Sequence, residues 1–168
     1  RLAFAEILFS NQDFKNAATQ YKKLLLTEPG NEEIYYMLAD TYIYDNNFLK
    51  AIAVYDDLEE NKGISKMISM QKHKLYMELQ KKKNAINELV NLLEKFPNDI
   101  EALEILSEVY LLNDEKDKAF EIFKKLVKSG SQVRCIVTKK TKDKPRSFFD
   151  NIDKWAKAEG SSGLAYFT

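Results

Sequence analysis

Three glutamates, Glu101, Glu104 and Glu108, are spaced so that they share one face of a helix. Clustered carboxylates are the groups that a general acid–base pair or a metal site requires. No histidine lies near them in the sequence, and their spacing fits no metal-ligand pattern. The pattern therefore favours a solvated helix face over a catalytic or metal site.

The other reactive side chains are isolated from one another. His73 is the only histidine and Cys135 the only cysteine, so no internal disulfide can form and no credible Ser/His/Asp grouping is visible. The sequence contains no CxxC motif and no Gly-rich phosphate loop, and the basic run at 81–83 is too short to predict nucleic-acid binding. We therefore predict no catalytic residues, no metal and no cofactor, and we expect a non-enzymatic protein.

Positive and negative charges balance over the whole chain but not along it. Lys and Arg together number 26, as do Asp and Glu, which argues against bulk attraction to nucleic acid or membranes. Residues 1–130 hold 18 basic against 22 acidic side chains, whereas residues 131–168 hold 8 against 4. No apolar run is long enough to span a membrane. The single cysteine favours the cytoplasm, although a chain that opens on Arg1 leaves an upstream export signal open.

The elements that position these side chains recur every 34 residues. Ala51 is followed four residues later by Tyr55, so both lie on one helix face. A fixed period without insertions predicts a repeat protein whose copies stack to bury a continuous core. The other copies of this pair are Ala17 and Tyr21, Ala85 and Leu89, and Ala119 and Phe123.

Apolar residues with a helical period predict two helices in each repeat. Proline or glycine ends the second helix at Pro29, Gly63, Pro97 and Gly130. The repeats run over about 1–31, 32–65, 66–99 and 100–130, which makes an array over 1–130 followed by a separate segment at 131–168. The predicted helices cover residues 2–10, 14–27, 32–44, 48–60, 66–79, 84–95, 100–112 and 116–128.

This pattern resembles the tetratricopeptide repeat (TPR), a helix–turn–helix unit. The first helix of that unit carries a large residue, a leucine, a small residue and an aromatic. The resemblance implies an all-α, right-handed α-solenoid of four helix pairs whose first helices line a concave groove. It also implies a scaffold that binds a protein or peptide. The matching residues are Tyr35, Leu38, Ala39 and Tyr42 in the second repeat, and Leu103, Leu106, Ser107 and Tyr110 in the fourth.

Helical phase places a mixed set of acidic, aromatic and methionine side chains on the groove face. Such a surface suits a partner segment that carries basic and apolar side chains. The clamp of Lys, Asn and Arg with which some TPR domains hold chaperone C-termini is missing, because only Lys74 is basic. A solvated face without a partner is the alternative. The set comprises Glu6, Phe9, Glu33, Tyr36, Asp40, Ile43, Tyr44, Met70, Lys74, Met77, Glu101, Glu104, Glu108 and Leu111.

The third repeat departs from the pattern in its first helix. Ser69, Lys72 and His73 stand one period after the large, leucine and small positions of the second repeat. We therefore expect a locally looser repeat interface at residues 66–80. His73 is interpreted as a structural or surface side chain rather than a ligand.

The repeat period stops after Gly130. Residues 132–138 and 164–168 are predicted strands and residues 148–156 a helix, which gives a short β-α-β appendage. This segment resembles the start of the insertion domain of bacterial aspartyl-tRNA synthetases, through blocks at 133–136, 145–150, 155–156, 159–160 and 163–166. None of that family's catalytic motifs is present, so the resemblance implies no ligase activity.

Several interpretations of the whole chain stay open. The favoured one is a non-catalytic scaffold. The alternative is a fusion, natural or chimeric and joined near 129–132, with a translation-related piece that lacks its catalytic core. A third is a fragment of a larger envelope or assembly protein that uses repeats as spacers. For the segment at 131–168 alone, a further interpretation is that the β-α-β similarity is a coincidence and the segment is a small cap.

Overall fold

The computed structural model describes residues 1–128 and 146–158, and these residues form nine α-helices. The chain divides into two compact units, Arg1–Val133 and Arg134–Thr168. The helix predicted at 148–156 is present as α9, whereas the strands predicted at 132–138 and 164–168 lie outside the described residues. The helices are α1 Leu2–Ser10, α2 Phe14–Thr27, α3 Glu32–Tyr44, α4 Phe48–Lys62, α5 Lys66–Glu78, α6 Lys82–Lys95, α7 Ile100–Leu112, α8 Lys116–Lys128 and α9 Arg146–Ala158.

Helices α1 to α8 form an α-solenoid in which each helix packs against the next along the chain. Four helix pairs result, α1/α2, α3/α4, α5/α6 and α7/α8, which confirms the predicted all-α class and the number of pairs in the array. The helix ends agree closely with the sequence pattern, although α4 continues to Lys62 and α6 already begins at Lys82. Side-chain caps mark some of the starts: Asp99 accepts a 2.9 Å hydrogen bond from the Ala102 backbone N–H.

The repeated alanine of each second helix is fully buried. Ala17, Ala51, Ala85 and Ala119 have no measurable exposure, so each lets a neighbouring helix approach closely. The paired residue one turn later is also buried in the first three repeats, as Tyr21, Tyr55 and Leu89. These positions are core, as the repeat pattern predicts.

The turn inside each pair has one residue in the left-handed region. In the second pair, the Asn47 N–H donates back to the Tyr42 carbonyl at 2.7 Å, across Asn46, which closes the end of α3. None of the four left-handed residues is a glycine, although glycine adopts this conformation at the lowest cost. They are Gln12, Asn46, Gln80 and Asp114, with φ of 62°, 55°, 56° and 59°, and they recur with the repeat period.

The apolar core of the array consists of two clusters that adjoin at α5. The first contains the buried side chains of α1 to α4 together with Ile68 and Leu75 of α5. The second contains Met70 of α5 with apolar residues of α6, α7 and α8. The core is therefore interrupted in the third repeat, at the helix whose sequence departs from the pattern.

The looser packing expected at residues 66–80 agrees with the smaller contact of α5 with α4 than of α3 with α2. The polar side chains of α5 at this interface are nevertheless buried and paired. Lys72 is only 5% exposed. Its Nζ atom lies 2.6 Å from Asp56, 2.8 Å from Glu59 and 3.1 Å from Glu88. Ser69 and His73 are buried beside it. A polar network on α4, α5 and α6 thus takes the place of the apolar contacts of the other repeats.

The pKa values of Lys72 and Glu88 reflect both their burial and their charged partners. Burial lowers the pKa of Lys72, but hydrogen bonds to Asp56 and Glu59 and the charge of Glu88 outweigh it, so the pKa lies above its ordinary value. Burial raises the pKa of Glu88, which Lys72 offsets only in part. His73 places Nδ1 3.0 Å from the Ala85 carbonyl, which fits the structural role predicted for it.

Candidate partner-binding surface

One stripe of α3 carries four of the predicted groove residues. Glu33, Tyr36, Asp40 and Tyr44 are three or four residues apart, so they follow one another along a single helix face. Tyr44 is 65% exposed, and Glu33 and Asp40 are exposed as well. Tyr36 is half-buried at the centre of the stripe. The stripe alternates acidic and aromatic groups, as the sequence predicts.

Tyr44 does not stand alone, because two phenylalanines pack against its ring. Phe9 of α1 lies 5.3 Å from Tyr44 between ring centroids, in an edge-to-face arrangement. Phe14 of α2 lies 5.6 Å from Phe9 and 6.3 Å from Tyr44. Such aromatic geometry is favourable, so the half-buried Phe9 and Phe14 hold the exposed ring of Tyr44 in place. The three rings are here called the aromatic platform.

The aromatic platform was only partly visible in the sequence. Phe9 and Tyr44 fall on the predicted groove face, but Phe14 reads as one more member of the apolar stripe of α2. Its position immediately after the turn at 11–13 is the signal that places it beside the end of α1.

The carboxylate of Asp40 lies in a partly desolvated setting beside two tyrosines. Asp40 is exposed to solvent. Enough protein nevertheless surrounds its carboxylate to desolvate it in part, which raises its pKa above the ordinary value of an aspartate. Burial, the charge of Asp40 and the nearby Tyr36 raise the pKa of Tyr55 to about 12. The rings of Tyr36 and Tyr55 are 6.4 Å apart. At neutral pH this part of α3 therefore presents a negative charge among aromatic groups.

The predicted groove residues of α5 have different environments. Lys74 is exposed and Met77 is half-buried, as is Ile43 of α3. Met70 is 8% exposed and packs in the second core cluster with α6 and α7. Its predicted position on the groove face is therefore wrong, because the neighbouring helices of the second core cluster bury Met70.

The three glutamates of α7 are exposed but not equivalent. Glu101 lies 2.9 Å from Lys66 Nζ, which also contacts Asp99 at 2.9 Å. This arrangement ties the start of α5 to the start of α7. Glu104 and Glu108 lie on the exposed face, where the sequence places them. Within residues 1–128 and 146–158, no group of three or more His, Cys, Asp or Glu side chains is placed to hold a metal ion.

Family comparison agrees with the repeat architecture. Models of the tetratricopeptide repeat match residues 8–63 and residues 74–133. Among solved structures, the chain is similar to a crystal structure of MamA, with a TM-score of 0.55, 21% identity, and coverage of 93% of this chain and 84% of that chain. It is also similar to YrrB, described as a TPR protein with an unusual peptide-binding site, with a TM-score of 0.53, 19% identity, and coverage of 76% and 66%. These likenesses show the fold.

Curated sequences give a second, shorter similarity. The chain is 73% identical over 64 residues to an aspartate–tRNA(Asp/Asn) ligase of Pelagibacter ubique, which is 38% of this chain and 11% of that protein. It is 40% identical over 62 residues to the corresponding ligase of Beijerinckia indica, which is 10% of that protein. The chain thus spans about a tenth of the length of the curated relatives that it matches.

The ligase similarity is longer than the stretch at 133–168 on which the resemblance rests. Residues 131–168 are too few to hold 64 matched residues, so part of the match lies within residues 1–130. The parts of 1–130 outside the repeat matches are too short to hold the rest of the 64 matched residues, so the ligase similarity and the repeat matches overlap.

No helix in the described parts of the chain is both long and apolar enough to cross a membrane.

Proposed function

We propose that this chain, which belongs to the tetratricopeptide repeat family, is a non-catalytic scaffold that binds a partner protein or peptide on the first helices of its repeats. The observation that supports it best is the aromatic platform of Phe9, Phe14 and Tyr44. An ordered aromatic side chain that stays 65% exposed is typical of an interaction surface.

The chemistry beside the aromatic platform selects the kind of partner. Asp40 and Glu33 share the α3 stripe with Tyr44 and bring negative charge next to exposed apolar area. A segment with basic and apolar side chains places its apolar groups on the rings and its Lys or Arg near the carboxylates. The preference is strongest at the α1–α3 end, because Glu101 at the other end is paired with Lys66.

Binding is tested with peptides that combine Lys or Arg with Leu or Phe, titrated against the full chain by calorimetry. Peptides with the basic residues replaced by Glu serve as the ligand control. The variant Tyr44→Ala with Asp40→Lys is expected to bind at least tenfold more weakly, a loss of about 1.4 kcal/mol. Leu49→Ala is the matched protein control, since Leu49 is an exposed apolar residue of α4 outside the stripe. No binding, or equal loss in both variants, would leave only a solvated face.

A second candidate rests on the similarity to aspartate–tRNA ligases. An identity of 73% over 64 residues favours a translation-related origin for the C-terminal part of the chain, as a natural fusion or a chimeric reading frame. No residue of the ligase catalytic motifs is recognisable, so we propose that the chain is not an enzyme. The single cysteine favours the cytoplasm as its compartment. Aspartate-dependent ATP–pyrophosphate exchange is the direct assay. Clear exchange by the purified chain would replace the scaffold proposal with a ligase-related one.

A further inference from the structure

Asp40 and Tyr44 lie one helical turn apart near the C-terminal end of α3. Residues at this spacing have Cβ atoms about 6 Å apart. Side chains of a helix lean towards its N-terminus, so the ring of Tyr44 extends towards the turn that carries Asp40. Because both residues are exposed, one group that approaches from solvent can contact the ring and the carboxylate together.

No cation of the chain occupies this pair. The array does place lysines over tyrosine rings elsewhere, since the ammonium groups of Lys22 and Lys50 are each 5.5 Å from the ring centroid of Tyr42. In the part of the chain that the structure describes, no lysine or arginine lies over Tyr44 or within ion-pair distance of Asp40. Burial raises the pKa of Asp40, as expected for a partly desolvated carboxylate with no cation beside it.

The contacts within the aromatic platform determine which kind of cation fits. The rings of Phe14 and Tyr44 are inclined by only 26°, and their centroids are 6.3 Å apart. A cation between two ring faces needs a separation of about 7 Å, because carbon contacts take about 3.5 Å on each side. Phe9 packs edge-to-face against Tyr44 at 5.3 Å. The platform therefore forms no cage for a methylated ammonium ion, and it offers the exposed part of the Tyr44 ring as a flat surface.

A guanidinium group suits this surface better than an ammonium group does. It is planar, so it stacks on an aromatic face while its N–H groups donate to a carboxylate. It is also more weakly hydrated than an ammonium, so it is placed more easily beside the partly desolvated Asp40. Since Phe9 and Phe14 already hold the ring of Tyr44, little side-chain freedom is lost when the group binds.

We propose that the partner segment is anchored by an arginine whose guanidinium stacks on Tyr44 and donates hydrogen bonds to Asp40. This inference rests on the proposed function and narrows the basic residue at this position from lysine or arginine to arginine. A lysine at the same position contributes its charge but neither the stacking nor the paired hydrogen bonds.

Two peptides of the same basic and apolar pattern, one with arginine and one with lysine at the basic positions, test the inference. Titrated against the full chain by calorimetry, the arginine peptide is expected to bind about three- to fivefold more tightly. Tyr44→Leu keeps an apolar side chain without a ring, so it is expected to bind both peptides equally. Tyr44→Phe restores the ring and should restore the preference. Leu49→Ala is the control outside the α3 stripe and should not change the preference.

A spectroscopic measurement separates stacking from charge. In a peptide with isotope-labelled arginine, the side-chain protons next to the guanidinium should shift upfield on binding, and the shift should be absent with Tyr44→Leu. Asp40→Asn has nearly the same shape at an exposed position, so it retains the fold, which circular dichroism verifies. It should weaken the arginine peptide more than the lysine peptide.

The outcomes separate this inference from the proposed function. Equal binding of the two peptides by the unchanged chain, or an arginine preference that survives in Tyr44→Leu, would overturn the arginine anchor and leave the scaffold in place. If neither peptide binds, the proposed function and the anchor are both overturned.

Discussion

The Nζ atom of Lys72 lies 2.8 Å from a carboxylate oxygen of Glu59, across the boundary between the second and third repeats. In the second and fourth repeats the position of Lys72 is held by Leu38 and Leu106. The array therefore replaces one apolar contact by a buried ionic one, in the region where its two core clusters adjoin. Because Ser69 and His73 are buried beside Lys72 and hydrogen-bonded, the polar groups of this interface are paired.

Lys72→Met is expected to destabilise the array strongly. The change leaves the largely buried Glu59 and Glu88 without their cation, and breaking a buried pair in this way typically costs about 3–5 kcal/mol. Urea unfolding followed by circular dichroism measures the loss. Lys74→Met is the matched control on the same helix, because Lys74 is exposed, and it should change the free energy of unfolding by less than about 0.5 kcal/mol.

Removing the partners along with Lys72 separates lost pairing from lost packing. Lys72→Leu combined with Glu59→Leu and Glu88→Leu is expected to recover most of the stability, since apolar replacements of buried ion pairs are often neutral or stabilising. A triple variant as unstable as Lys72→Met would show that the shape of these side chains matters more than their charge.

The raised pKa of Lys72 predicts a loss of stability in alkali. A lysine in the unfolded chain has a pKa of about 10.4. The pKa of Lys72 in the folded chain is higher. Its contribution is therefore complete below about pH 10.4 and disappears as the pH rises through the folded pKa. Tyr55 acts in the same direction, because its pKa is raised to about 12.

Lys72→Arg isolates the contribution of the lysine, because arginine stays charged throughout this pH range. The variant should lose less stability than the unchanged chain between neutral pH and about pH 11, as measured by urea unfolding at both values. Equal losses in the two proteins would assign the alkaline effect to Tyr55 and the other tyrosines.

The sequence predicts the helices well and the third repeat poorly, and the reason is physical. A 34-residue period indicates which positions of each repeat carry small and large core side chains. It therefore predicts that Ala51 and Tyr55 are buried, although it does not indicate which residues contact them. The environment of Lys72 depends on carboxylates from two other helices, which no local pattern reveals. The prediction for Met70 is wrong for the same reason. Helical phase gives the direction of a side chain from the helix axis, but the neighbouring helices determine whether that side of the helix is buried.

Gln80→Gly is expected to stabilise the array. Gln80 has φ of 56° in the turn between α5 and α6, and an L-residue in the left-handed region costs about 1 kcal/mol that glycine avoids. Part of this gain is lost because glycine makes the unfolded chain more flexible. We therefore expect a rise in the free energy of unfolding of up to about 1 kcal/mol, visible in urea unfolding.

Gly63→Ala provides the reverse control for the backbone argument. Gly63 has φ of 85°, and an added Cβ would lie 3.5 Å from Lys95 Nζ, an ordinary contact. Any loss of stability in that variant therefore comes from backbone conformation and not from crowding. If Gln80→Gly destabilised while Gly63→Ala had no effect, the left-handed turns would not be under the strain inferred for them.

Binding of a basic peptide should depend on pH through Asp40. The raised pKa of Asp40 means that its carboxylate takes up a proton at a higher pH than an ordinary aspartate. As the pH falls through that value, Asp40 loses the charge that attracts Lys or Arg, so the affinity of the peptide decreases. The effect is modest because Asp40 is exposed, and we expect about 1 kcal/mol, or roughly fivefold in affinity.

Asp40→Asn and Glu108→Gln, titrated by calorimetry at neutral and mildly acidic pH, distinguish this origin from a general charge effect. Asp40→Asn should bind weakly at both pH values, because the group that titrates has been removed. Glu108→Gln should retain the pH dependence, since Glu108 lies on α7, away from the aromatic platform of Phe9, Phe14 and Tyr44. A pH dependence that survives in Asp40→Asn would move the recognition of the basic side chain from α3 to another acidic residue of the array.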